Sequence, residues 1–391
     1  MGTETALAPQ AAELTRRAQA LAPLVSERAG AAEQQGALTD DVVEAFHRDG
    51  LFAMWVPRSL GGAELDPLPS LEVLDWVSYG DPSAGWVLMA AAIAIGVAGA
   101  YLADDAVAEL FAGDQVPVIA GQGLRPGRAL VRPGGYELSG EWSFGSAIRH
   151  ATHVHTGGAV DGGELRIFVL PIEQVTLIDN WDVLGLRATG SLDYVIERAF
   201  VPDSYTHPTA VTSSPRGGGL YRLGIPGIAA ICHSGWSCGV GRRLLEEIAT
   251  LARERAGRAG QQAESDSFLE SYAIAESKLR AARALIRETW AEIELTLAAG
   301  DPPSTEQQTL IRLALTNSTR SLQEIATFVY LAGGTASLRA GTIQRLFRDV
   351  HGGTQHITSS PPVVWACGRQ LAGLAPGEVW GLRGLQAGGK P

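Results

Sequence analysis

The string Arg345-Leu346-Phe347-Arg348-Asp349-Val350-His351 is followed at once by Thr354-Gln355-His356. An imidazole titrates close to neutral pH, so a placed histidine can act as acid or base in a reaction. His356 is the candidate for chemistry; His351 can also face solvent or cap the helix that carries Arg348. Arg348-Asp349 reads as an internal ion pair that orients this helix. Arg253, Arg255 and Arg258 carry planar forks suited to pairing two phosphate oxygens at once, or else form a solvated helix face. Neither a GxGxxG after a strand nor a GxxxxGK[ST] occurs, and no nucleophile elbow is present. A phosphate-bearing cofactor would therefore be held without the usual glycine loops. Cys232, Cys238 and Cys367 form no CxxC pair, and no His/Cys cluster has zinc spacing, so no metal site is expected.

The elements that must position these residues follow three regimes. With 391 residues, the chain exceeds what a single hydrophobic core usually serves. The first third reads as helix: Thr39-Asp40-Asp41 caps a stripe of Val42, Ala45 and Phe46, with Gly50 at its end. Pro57 and Gly61-Gly62 break the pattern before a helix over Leu71 to Ser78. From Val116 to about Thr212, short runs rich in Val, Ile, Tyr and Leu are punctuated by Gly and Pro. Tyr136 and Leu138 alternate after Gly134-Gly135, and Leu165, Ile167 and Val169 follow Gly162-Gly163, which predicts an antiparallel sheet. Helical spacing then returns in Leu244, Ile248 and Leu251, in Ala275, Leu279 and Ala282, and in Leu310, Leu313, Ile325, Phe328 and Val329. The fold class is α+β: an N-terminal helical part over 1–115, a central β part over 116–215, and a helical bundle over 216–391.

Composition narrows the partners. Hydrophobic residues make up 46% and charged residues 19%, a globular balance, and the net charge of -11 disfavours nucleic acid and anionic membranes. Ala84 to Ala103 runs twenty residues without a charge, but it is Ala- and Gly-rich with flanking Asp81, Asp104 and Asp105, so it reads as a buried helix. Met1 to Arg17 lacks the basic start and apolar run of a signal peptide, and the chain is read as cytoplasmic with reduced thiols. The high Ala, Gly and Arg content fits a GC-rich genome and points to specialised metabolism.

Five strings in order carry a family resemblance: Val56-Pro57-Arg58 through Gly61-Gly62; Asp81-Pro82-Ser83-Ala84-Gly85-Trp86; Gly140-Glu141-Trp142-Ser143-Phe144-Gly145-Ser146; Trp181-Asp182-Val183-Leu184-Gly185-Leu186-Arg187-Ala188-Thr189-Gly190-Ser191 leading to Phe200-Val201-Pro202; and the Arg345 to His356 segment. Together they resemble the acyl-CoA dehydrogenase superfamily over Leu38 to Gly373. The resemblance is to its two-component flavin monooxygenases, the class of 4-hydroxyphenylacetate hydroxylase oxygenase components and dibenzothiophene monooxygenase. It implies a helical domain, a β domain and a four-helix bundle in a homotetramer. The flavin lies between β domain and bundle and is delivered reduced, as FADH2 or FMNH2, by a separate NAD(P)H:flavin reductase. It implies use of O2 through a C4a-(hydro)peroxyflavin to oxygenate a hydrophobic, aromatic or polycyclic small molecule. Within it, Ser146 matches a hydroxyl near flavin N5 and His356 a group that reaches flavin and substrate. Trp86, Trp142, Phe144, Arg187, Thr189, Ser191, Arg253 and Arg255 match the cofactor's surroundings.

Two features set this chain apart from the family pattern. Acyl-CoA dehydrogenases commonly carry a catalytic glutamate where this chain reads His356-Ile357-Thr358-Ser359-Ser360, which weakens a dehydrogenase reading while leaving it as the alternative. Several oxygenases carry a second histidine in the helix after the tryptophan matched by Trp86. Here Ala90 to Ile95 offers no polar group, so Gln122 is the candidate substitute and Ile95 a candidate apolar wall. A non-catalytic flavin- or substrate-binding scaffold is the second alternative.

Overall fold

The computed structural model describes residues 4–123, 125–161, 163–209, 211, 213–256, 265–381 and 384–387; Gly162 and Arg258 lie outside them. The helical layer comprises α1 (Glu4–Gln35), α2 (Asp40–Arg48), α3 (Pro67–Gly80), α4 (Pro82–Tyr101) and α5 (Asp104–Leu110). Acidic Asp40 and Asp41 open α2, complementing its N-terminal dipole, and Val42, Ala45 and Phe46 are its buried stripe, as the spacing predicts. Asp81 caps α4 by accepting a hydrogen bond from the Ala84 N–H at 3.0 Å. Helix α4 is long and apolar enough to cross a bilayer, yet it lies in the middle of the fold with 83% of its most apolar stretch buried.

The central sheet holds β1 (Ile119–Ala120), β2 (Gly127–Arg132), β3 (Gly135–Gly145), β4 (His153–Val160), β5 (Leu165–Pro171), β6 (Thr176–Ile178), β7 (Leu192–Pro202) and β8 (Thr206–Pro208). Their order is β6-β7-β3-β2-β4-β5-β8, with β1 on β4. The antiparallel expectation needs one correction: β4 pairs in parallel with β1 and β2. The chain leaves β3, turns through Ser146 to Ala151 and steps past β2, so β4 runs in the same direction as β2. That crossover carries Ser146.

Three long helices, α6 (Gly224–Arg255), α7 (Asp266–Ala298) and α8 (Thr305–Gly333), form the bundle. Its fourth side is shared by shorter pieces: α9 (Thr335–Leu338), α10 (Thr342–Gly353) and α11 (Pro361–Leu371), with the ribbon β9 (Glu378–Trp380) and β10 (Leu385–Ala387) at the end. Leu244, Ile248, Ala275, Leu279 and Ala282 are buried as predicted, whereas Leu313 turns toward the small cluster under α11. Helix α3 lies close against α6 because a Cβ on Gly239 would sit 2.1 Å from the Asp75 carbonyl oxygen. Asp75 is also gripped by Arg242 of α6 and Arg283 of α7, each at 2.6 Å. Bundle and helical layer are thus one packed unit.

Candidate active site

Two turns at the sheet end meet two helices. The first follows β3, whose pairing with β7 slips between Trp142 and Gly145. Beyond the slip, Phe144 and Ala147 take left-handed φ values of 65° and 70°, flanking Ser146. Leu186, at φ 56°, starts the second turn, which leads to Thr189 and Ser191. Non-glycine residues in this region cost roughly 1–3 kcal/mol each, and such strain gathers at functional sites. The turns are tied by the Ala147 N–H donating to the Thr189 carbonyl at 3.1 Å.

Their side chains form one directional chain of hydrogen bonds. The Thr189 hydroxyl donates to the Leu186 carbonyl at 2.8 Å, which can only accept. Ser191 must therefore supply the proton in its 2.6 Å contact with Thr189. Ser146 must in turn supply the proton in its 2.8 Å contact with Ser191. Trp86 Nε1, which can only donate, points at Ser146 Oγ from 3.2 Å. Ser146 is thus fixed as an acceptor, with one lone pair left open.

Trp86 is the hub of an aromatic cluster. Its ring meets His233 at 5.1 Å, Trp236 at 5.5 Å and His356 at 5.8 Å, all edge-on. The rings of His233 and His356 lie 4.2 Å apart at 32°. Gly353 makes this crowding possible: a Cβ there would lie 2.5 Å from Trp236 and 3.1 Å from Trp86. His356 Nδ1 accepts from Thr358, 2.9 Å from its Oγ1 and capping the next turn, which leaves the neutral ring's proton on Nε2. Burial lowers the His356 pKa to about 4. Burial and the neighbouring His356 push His233 well below the usual histidine range. Both imidazoles are neutral at pH 7.

Helix α10 is pinned behind the cluster. Asp349 accepts from the Leu186 N–H at 2.6 Å, and Arg345 lies 3.6 Å from Asp81. Burial and the nearby Asp81 raise the Asp349 carboxyl well above its ordinary pKa. The expected Arg348–Asp349 pair does not form, because adjacent helical residues point about 100° apart. Arg348 instead reaches Glu33 at 2.5 Å and the Leu184 carbonyl at 3.0 Å.

Of the residues predicted from sequence, Ser146, Trp86, Thr189, Ser191 and His356 come together. Phe144 stands beside them, 64% exposed and edge-on to Trp181. Arg187 buttresses its own loop through Asp182 and the Val183 carbonyl. Trp142 does not reach the site: it is buried, stacked on Tyr194 and donating to the Gly157 carbonyl at 3.1 Å. Gln122 Oε1 accepts from the Arg125 N–H, so this oxygen closes a turn rather than facing the cluster. Ile95 is fully buried; only Trp86, Ala90 and Ile93 of α4 keep exposed surface. Nine positions at about 100° each put Ile95 on the opposite side from Trp86. Arg253 and Arg255 sit at the far end of α6, twenty residues beyond His233, or about 30 Å within the same chain. His233 was missed; the only signal was a lone histidine in an apolar helix.

A family profile for the acyl-CoA dehydrogenase C-terminal domain matches residues 231–361, the segment that carries His233, Trp236 and His356. The chain carries that family's C-terminal domain and has the acyl-CoA dehydrogenase-like fold. In sequence, the chain is 29% identical to an indole-3-acetate monooxygenase of Pseudomonas putida, across 89% of this chain and 91% of that one. It is 29% identical to the flavin-dependent monooxygenase oxygenase subunit HsaA of Mycobacterium tuberculosis, across 92% and 95%. The crystal structure of 3-HSA hydroxylase from Rhodococcus sp. RHA1 superposes with a TM-score of 0.85 at 26% identity, covering 93% of this chain and 97% of that one.

Proposed function

We propose that this chain is the oxygenase component of a two-component flavin-dependent monooxygenase, acting on a flat, hydrophobic aromatic molecule. The carrying observation is the cluster in which Ser146, fixed as an acceptor, and two neutral histidines converge on Trp86. The donor set suits a reduced flavin. Its N5 bears a hydrogen only in the reduced state, and the open lone pair of Ser146 Oγ is the complementary acceptor. The exposed Phe144 ring and Leu184 offer apolar cover for a flat ring system. In this reading Ser146, Phe144 and Trp86 hold the flavin, and Thr189, Ser191 and Arg187 set the loops behind it.

Bound reduced flavin, FADH2 or FMNH2, supplies the electrons for O2, one oxygen atom entering the substrate and the other leaving as water. The chain's own contribution is positioning and dryness. Trp86, Trp236 and Ile93 exclude water, which limits unproductive release of hydrogen peroxide. His356, neutral with its proton on Nε2, donates a hydrogen bond into the site and can pass that proton to a developing oxyanion. A dehydrogenase would need a carboxylate at the substrate's α-carbon. The aromatic cluster contains none, and Asp81 and Asp349 are held behind it.

A separate NAD(P)H:flavin reductase supplies the flavin, consistent with the oxygenase-subunit relative. The homotetramer is carried over from the family resemblance, and the exposed apolar side chains Leu331, Leu338, Trp365, Leu371 and Leu374 are compatible with subunit contacts. Cytoplasmic residence fits three unpaired, buried cysteines. The test supplies the protein with reductase, NADH, FMN or FAD, isotopically labelled O2 and a panel of indoles, phenols and thiophenes. One labelled oxygen in a product, lost in His356→Ala, supports the reading; hydrogen peroxide as the sole product across the panel overturns it.

A further inference from the structure

The second polar group of the pocket comes from α6. Helix α4 and helix α6 run antiparallel, in contact from Trp86 against His233 to Tyr101 against Tyr221 just before α6. Every residue of α4 is buried except Trp86, Ala90 and Ile93, which share one face. On α6, Ile225, Ala229 and His233 recur every four residues; Ile225 and Ala229 keep exposed surface while Ile228, Ala230 and Ile231 are buried. With the helices antiparallel and Trp86 against His233, the two partly exposed stripes run along neighbouring helices from the Trp86, His233 and His356 rings, and we take the apolar strip between them as the trough for a flat ligand.

His233 is 8% exposed and has no hydrogen-bond partner among the described residues. A neutral imidazole carries one donor and one acceptor, and the His233 nitrogens are not among the fully enclosed unpartnered atoms, so both are open to a ligand. His356 has its acceptor nitrogen committed to Thr358 and offers only Nε2–H. With the open lone pair of Ser146 given to the flavin in the proposed reading, the acceptor that remains at the aromatic end of the trough belongs to His233. With both rings neutral, no cation there would draw a carboxylate.

We propose that His233 determines substrate specificity by accepting a hydrogen bond from the ring N–H or phenolic O–H of a flat aromatic substrate seated in the α4–α6 trough. This rests on the oxygenase reading for the pocket's use, not for the contact itself. Nothing on α4 can make that contact, so the position missing from Ala90 to Ile95 is filled from the facing helix.

Binding of indole and 1-methylindole, measured by calorimetry under argon with reduced FMN present, isolates the contact. Methylation removes the donor and keeps the ring. One hydrogen bond predicts that the wild-type protein prefers indole by roughly 3- to 10-fold. His233→Phe should bring the ratio to about 1, and His233→Asn, which retains an acceptor, should restore part of it. A wild-type ratio near 1, a preference unchanged in His233→Phe, or no binding of either ligand to the wild type overturns the proposal. Since no oxygen is consumed, a failure of oxygenation with the ratio intact would overturn the oxygenase reading alone.

Discussion

On the proposed placement of flavin N5 at Ser146, the hydroxyl chain should make binding depend on flavin redox state, and Ser191→Ala tests it. In the wild type, the Ser146 proton is committed to Ser191 and the Ser191 proton to Thr189, because Thr189 donates to the Leu186 carbonyl. At that position reduced flavin would offer N5–H to the Ser146 acceptor, while oxidised flavin would set a lone pair against a lone pair. An unmade hydrogen bond in a buried site costs about 1–3 kcal/mol, so the wild type should bind reduced flavin roughly 5- to 150-fold more tightly than oxidised. Ser191→Ala removes the acceptor for the Ser146 proton. Ser146 can then turn and donate to oxidised N5, raising oxidised-flavin affinity and collapsing the ratio. Ser191→Thr keeps the hydroxyl and should keep most of it. The assay is paired equilibrium titration of oxidised and dithionite-reduced FMN under argon, read by protein fluorescence. Equal affinity for the two redox states in the wild type, or a ratio unmoved by Ser191→Ala, would refute the directional chain.

Gly353→Ala should lower stability by about 1–3 kcal/mol and reduce product formation more than flavin binding, since its Cβ would displace Trp236 and Trp86; denaturant unfolding and coupling ratios check both. Trp142→Phe should cost about 1–3 kcal/mol through the lost bond to Gly157, and a change in flavin affinity would contradict its placement away from the site. Burial lowers the pKa of His155 to about 3 and that of His207 to about 4. Between pH 6.5 and about 4 the unfolded chain therefore binds protons that the native state does not, so stability falls as pH falls through that window. At pH 5 each histidine contributes about 2 kcal/mol of loss, and a melting temperature equal at pH 7 and pH 5 would contradict it.

Local chemistry made much of this molecule legible. The 3.6-residue spacing marks α2 and the bundle helices because one face of each is buried, and the Gly/Pro punctuation marks the strands. What failed was non-local or sub-periodic. Parallel pairing of β4 with β2 depends on where a crossover lands, which no residue of either strand encodes. Trp142 and Phe144 share strand parity and so read as one face; the register slip before Gly145 sends one into the core and the other, with left-handed φ, to the site. Ile95 falls away from the site for a plainer reason: nine residues at about 100° each put it on the opposite side of α4 from Trp86.

His233 shows the deeper limit. A pocket requires a polar atom at a point in space, and packed antiparallel helices offer that point from either side. Read along α4, Ala90 to Ile95 is a loss of function; read across to α6, it is vacated volume over which an imidazole from the facing helix can act. The small side chains of Ala90 and Ala229 and the histidine are then parts of one arrangement. Enlarging the floor tests this coupling. Ala90→Leu should weaken indole binding in the wild type, as it fills the trough beside His233. In a His233→Ala background the vacated ring space can accept the added leucine side chain, so the same substitution should weaken binding less. Losses in the two backgrounds that agree within the roughly 0.3–0.5 kcal/mol to which independent sites add would mean no coupling, and the two stripes would not share a space.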